Sequence, residues 1–116
     1  DGLLIATPEN NYSMSAVLKN TIDWTSRAFD DKPTLHYYRG KTAALISAAG
    51  TVGGLIGMSH LRQVLNAFKV LVIPEQYGIV FAFREVDENG DLKEEHVAPA
   101  KAVGARLAEV VAKIYG

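Results

Sequence analysis

Three short apolar runs, Leu3–Ala6, Thr42–Ala48 and Val70–Ile73, punctuate a chain whose intervening stretches are amphipathic. Runs this short, apolar at successive rather than alternate positions, suit strands buried on both faces, the pattern of a parallel sheet. Strands that alternate with helical stretches argue for an α/β architecture. In the first helical stretch Met14, Leu18, Ile22, Thr25 and Phe29 share one stripe, with Val17, Thr21 and Trp24 beside it. Ser13 is placed to cap this helix, and Trp24 is expected to pack within it. Met58, Leu61, Leu65 and Phe68 mark a second helix, and Val103, Leu107, Val110, Val111 and Ile114 a third. Pro99 is expected to limit how early the third begins, since proline is tolerated only in a first turn. Glu109 and Lys113 stand in the favourable i,i+4 order on its exposed face.

The connections carry their own signals. Asp30–Gly40 is polar and reads as a surface excursion, and Ile79–Phe83 as a short extra strand. Asp87-Glu88-Asn89-Gly90 reads as a turn, with Asn-Gly supplying positive φ angles. With 116 residues the chain reads as one domain, 1–116, because single domains cluster at roughly 100–150 residues. It enters a strand at its third residue without an initiator Met, which reads as clipping on the N-terminal side.

Composition narrows the function classes. A net charge of −1 gives no electrostatic reason to expect nucleic acid or an anionic membrane as partner. The absence of cysteine removes disulfides, a thiolate nucleophile and Cys-based metal sites, in keeping with a cytoplasmic protein. No apolar run approaches the ~20 residues of a membrane span. His36, His60 and His96 show no metal-site spacing, and Asp87–Glu95 lacks the ligand pattern of a calcium loop, so no metal is expected.

Two loops directly follow strand ends: Thr7–Ser13 and Ser47–Gly54. In a parallel sheet both fall on the same edge, where ligands of open α/β sheets bind, so together they can wall one crevice. Glycines in the second loop permit close backbone approach, and the helix N-terminus beyond it offers free N–H donors.

The motifs taken together, Thr-Pro-Glu-x-Asn-Tyr-Ser at 7–13, Lys-Asn-x-Ile-Asp-Trp at 19–24, Ser-x-x-Gly-x-x-Gly-Gly at 47–54 and His60-Leu61-Arg62, resemble the NAD(P)H-dependent FMN reductase family. That family includes quinone and chromate reductases. The resemblance extends to Asp87-Glu88-Asn89-Gly90. It implies a flavodoxin-like three-layer parallel sheet, present here as its C-terminal part, strands three to five of a five-stranded order 2-1-3-4-5. Pro8, Glu9, Asn11, Tyr12 and Ser13 match the family loop that borders the isoalloxazine ring, and Asn10 stands where relatives commonly place a tyrosine. Ser47, Ala48, Gly50, Thr51, Gly53 and Gly54 match the loop on the flavin's other side. The Ser/Arg-rich loop with which the family cradles the FMN phosphate is not in this chain.

The resemblance further implies FMN and NAD(P)H as cofactors and a small-molecule electron acceptor. The expected activity is NAD(P)H-driven reduction of quinones, azo compounds, chromate or free flavin, by a homodimer or homotetramer. No catalytic side chain is nominated, because flavin hydride chemistry belongs mainly to the cofactor. Glu9 reads as a loop carboxylate and Arg62 as part of a solvated helix face. A flavodoxin-like electron carrier is the alternative, on which the near-neutral charge weighs mildly. A phosphoacceptor receiver domain ranks lower, since Val72-Ile73-Pro74 offers no lysine at the last strand's end.

Overall fold

In the computed structural model, which describes residues 1–116, the chain runs β1 (Gly2–Pro8), α1 (Ala16–Thr25), β2 (Thr42–Ala48), α2 (Leu55–Ala67), β3 (Leu71–Ile79), a 3₁₀ turn (Ala82–Arg84) and α3 (Glu94–Tyr115). The strands form one parallel sheet in the order β1-β2-β3. The central strand spans the residues expected from its apolar run. Thr42, Ala43, Ala44 and Leu45 are wholly buried there.

Helices cover both faces. On one face Ile22 of α1 and Met58, Leu61 and Leu65 of α2 pack on Ala43, Leu45 and Val70, with Leu3 and Ile5 beside them. On the other, Val103 and Leu107 of α3 pack on Ala44 and Ile73. Each fully buried leucine here contributes roughly 1.5–3 kcal/mol of transfer free energy. No helix is long and apolar enough to cross a membrane.

Several local expectations are corrected. The third strand does not stop at Ile73 but runs on to Ile79, so no extra strand occupies Ile79–Phe83. Its register against β2 slips between Ala43 (opposite Val72) and Leu45 (opposite Gln76), leaving Ile73–Glu75 as a bulge that accommodates Pro74. Arg62, expected on a solvated helix face, holds that bulge: its guanidinium donates to Val72 O at 3.1 Å, Ile73 O at 2.8 Å and Gln76 Oε1 at 2.8 Å.

The N-cap of α1 is Ser15, whose Oγ accepts from Leu18 N at 3.1 Å; Ser13 lies two residues too early to reach that donor. The helix ends at Thr25, so the stripe breaks before Phe29. Trp24 and Phe29 are each 73% exposed, and neither packs within the chain. The Asp30–Gly40 excursion is tethered by Tyr38, which is buried and hydrogen-bonded to Thr25.

Pro99 lies inside α3, which begins five residues earlier at Glu94. The ring removes the N–H that would reach the Glu95 carbonyl, and other contacts fix this end instead. His96 Nδ1 meets the Tyr77 hydroxyl at 2.8 Å and its Nε2 meets Glu85 at 2.7 Å. Glu94 and Glu95 complement the positive end of the helix. In the Asn89-Gly90 turn only Gly90 takes a positive φ; Asp87 Oδ1 completes the turn by accepting from Asn89 N and Asp91 N.

Candidate functional site

Both loops leave the carboxyl edge of the sheet, where β1 and β2 run parallel from Gly2 opposite Thr42 to Pro8 opposite Ala48. They do more than share an edge. Glu9 reaches across to α2 and accepts from Gly57 N at 2.7 Å. Gly57 is the third residue of that helix, and the N-cap, Gly54, has no side chain to satisfy such a donor. Ser13 Oγ makes a second tie, 3.0 Å to His60 Nδ1. Between the ties Asn10 and Ser13 exchange backbone hydrogen bonds around a two-residue reversal, with Asn11 at φ 49° and Tyr12 at φ 61°. The N–H groups of Asn11 and Tyr12 have no partner in the chain. Asn10, Asn11 and Tyr12 are exposed at the rim, while Glu9 and Ser13 are half-buried.

The glycine loop divides in two. Gly50 and Thr51 are exposed, and a Cβ at Gly50 would meet open space. Gly53 and Gly54 are buried and serve close packing: both have positive φ, and a Cβ on Gly54 would overlap the Ser47 side chain. Gly78 of β3 lies so close to Gly53 that any Cβ there would overlap the Gly53 carbonyl. The residues after β3 brace the loop, Phe81 N donating to Gly50 O and Ala82 N to Ala49 O.

An open cleft of about 400 Å³ lies at the same edge, between the strand ends and the start of α3. Of the twelve candidate residues it brings together Pro8, Ser47 and Ala48. Glu9, Asn10, Asn11, Tyr12 and Ser13 form the adjoining loop on the α2 side, and Gly50, Thr51, Gly53 and Gly54 the turn behind Ser47. The rest of the wall, including Ile46, Tyr77, Ile79 and Ala100, comes from positions that sequence reasoning did not single out. Alternation along β2 and β3 was the signal available, because Ile46 and Tyr77 are register partners facing α3.

Ser47 Oγ is packed under Gly54 on the α2 side of the strand, away from the cleft. It is buried with no hydrogen-bond partner, a state that costs roughly 1–3 kcal/mol unless something else satisfies it. Unpaired backbone donors on the rim and an apolar wall suit a flat ring system with polar edges. These residues therefore fit the ring of a flavin.

Beside the cleft, the hydrogen bond with His96 and the nearby Lys93 hold the Glu85 carboxyl below its ordinary value, against some desolvation. Glu85, Glu95 and His96 bring three ligand-type atoms within 4.8 Å of one another. Lys93, 3.6 Å from Glu85, and the α3 N-terminus already supply positive charge there. The cluster ties the end of the 3₁₀ turn to the start of α3.

The profile of the NADPH-dependent FMN reductases matches residues 1–84. The chain belongs to this family. Its relatives include a 2-hydroxy-1,4-benzoquinone reductase of a Burkholderia species, 40% identical over 98 residues that make up 82% of this chain and 51% of that protein. A quinone reductase of Escherichia coli is 38% identical over 95 residues, 79% of this chain and 48% of that protein. An NAD(P)H:quinone oxidoreductase of Solanum tuberosum is 34% identical over 120 aligned positions, which take in 100% of this chain and 59% of that protein. The chain thus spans about half the length of the curated relatives it matches. Its relatives bear the names of NAD(P)H-dependent FMN and quinone reductases.

Proposed function

We propose that this chain supplies the ring-binding part of an NAD(P)H-dependent FMN reductase whose acceptors are quinones, azo compounds, chromate or free flavin. Within the flavodoxin-like fold, its strands correspond to the third, fourth and fifth of the sheet. The observation that carries this reading is the pair of loops tied together at the carboxyl edge of β1 and β2, with rim N–H groups that have no partner in the chain, beside an apolar cleft.

FMN held here would supply the two-electron chemistry between NAD(P)H and the acceptor. The chain's part is to hold and to shield. The free N–H groups of Asn11, Tyr12, Gly50 and Thr51 are donors for the polar edge of the ring. Ala48 and Ile79 offer apolar surface that excludes water. Glu9, bound to α2, sets the spacing of the two loops and takes no proton in the reaction.

Self-association as a homodimer or homotetramer is part of the proposal, as is a cytoplasmic location. The exposed Val17, Trp24 and Phe29 on and after α1 are where a second copy would remove most apolar area from water. Steady NADPH oxidation with 1,4-benzoquinone, measured with and without added FMN, tests the activity. FMN-dependent turnover is expected; NADPH oxidation that ignores FMN overturns the reading.

A further inference from the structure

The reversal at Asn11-Tyr12 is of the kind that chains normally close with Asn-Gly, because both central residues need positive φ. Asn11 suits its position, but Tyr12 occupies the one that favours glycine. For a residue with a Cβ this backbone is disfavoured by roughly five- to thirtyfold. Nothing inside the chain offsets that. The Tyr12 ring is 62% exposed, and the turn's own backbone bonds, from Asn10 to Ser13, need no side chain at position 12.

The turn is nonetheless held firmly. Glu9 is bound to Gly57 on one side of it and Ser13 to His60 on the other, so the Tyr12 backbone is fixed at the rim of the strand-end edge. Strained backbone that persists because its surroundings over-determine it marks a position where a side chain is being presented. What is presented here is a flat, neutral aromatic ring in solvent, suited to stacking on another flat ring.

We propose that Tyr12 is a specificity residue that stacks on the planar ring of the electron acceptor, so that the protein favours quinones and other flat aromatic acceptors over compact inorganic ones. This inference rests on the reductase reading and deepens it. Tyr12 makes and breaks no bond: electrons reach the acceptor from the flavin, and the ring only raises the time a flat acceptor spends in place.

Two measurements test it. The first compares kcat/KM for 1,4-naphthoquinone with that for ferricyanide, which has no ring to stack, with FMN supplied. The quinone-to-ferricyanide ratio is expected to fall about three- to tenfold in Tyr12→Leu and to be retained in Tyr12→Phe. An unchanged ratio in Tyr12→Leu overturns the inference while leaving the reductase reading intact, because a Tyr12 contact to the flavin alone would affect both acceptors equally. If the wild-type protein turns over neither acceptor, the reductase reading fails and the inference with it. The second measurement is thermal unfolding without FMN. Tyr12→Gly is expected to raise Tm by about 2–6 °C as the strain is released; a fall in Tm shows that the ring is stabilising within the chain and overturns the argument.

Discussion

Replacing Glu9 by alanine removes the single acceptor that reaches the first turn of α2 from outside. The Gly57 N–H it binds at 2.7 Å has no alternative, since Gly54 at the N-cap makes no side-chain bond. A hydrogen bond to a charged partner contributes about 1.5–3 kcal/mol, and a carboxylate at a helix N-terminus a further 0.3–1 kcal/mol or so. Glu9 is half-buried, so part of this is screened, and a loss of about 2 kcal/mol is expected. With a urea m value of about 1–2 kcal/mol/M, the unfolding midpoint falls by about 1–2 M. Glu9→Gln keeps an acceptor but no charge and is expected to lose about half as much. A loss below about 0.5 kcal/mol for Glu9→Ala refutes the reasoning, because substitutions of uninvolved surface residues fall in that range.

Gly54→Ala combines positive φ with an overlap against Ser47 and is expected to cost about 2–4 kcal/mol in urea unfolding, whereas Gly50→Ala, with open space around it, costs little. Hydrogen bonds from Lys113 and then Arg106 hold Glu109 down to about 2, so its folded pKa lies below the ordinary value of 4.5. Its contribution is therefore full above about pH 4.5 and is lost as pH falls toward 2; Glu109→Gln should flatten the fall of the urea midpoint across that window, and an unaltered slope means the pairs are not formed in solution. The 116-residue chain should bind FMN and riboflavin within about threefold of each other, because its rim offers donors to the ring while Arg62 and Arg106 are engaged elsewhere. Fluorescence quenching decides this, and FMN binding more than tenfold tighter would reveal a phosphate contact.

The apolar runs made the sheet legible, although only β2 proves buried on both faces: β1 and β3 are edge strands, and Leu4 and Leu71 within the expected runs are half-exposed. Thr42–Ala48 is found residue for residue. The misread boundaries all turned on tertiary partners. Pro74 looked like the end of the third strand, yet a guanidinium twelve positions earlier supplies the hydrogen bonds that let the strand bulge and continue. Pro99 looked like a limit on the last helix, but Tyr77 and Glu85 anchor the first turn through His96. Ser13 looked like the cap of α1, but the helix begins two residues later with Ser15 as its cap, and the Ser13 hydroxyl meets His60 instead. The placement of the two loops on one edge followed from parallel geometry alone. Their cross-tie through Glu9 did not, since no local pattern links residue 9 to residue 57.

The bulge in β3 has a bearing on how this protein can change over evolutionary time. Between Val72 opposite Ala43 and Gln76 opposite Leu45, β3 carries two residues more than its partner. Side chains on a strand alternate with a period of two, so an even surplus leaves the inside and outside of the strand unexchanged. Ile73 at the start of the bulge and Tyr77 after it consequently face the same helix, α3. Insertions or deletions at residues 73–75 should be tolerated in pairs. A single-residue change there would turn Tyr77 away from His96 and point Gln76 into the layer under α3.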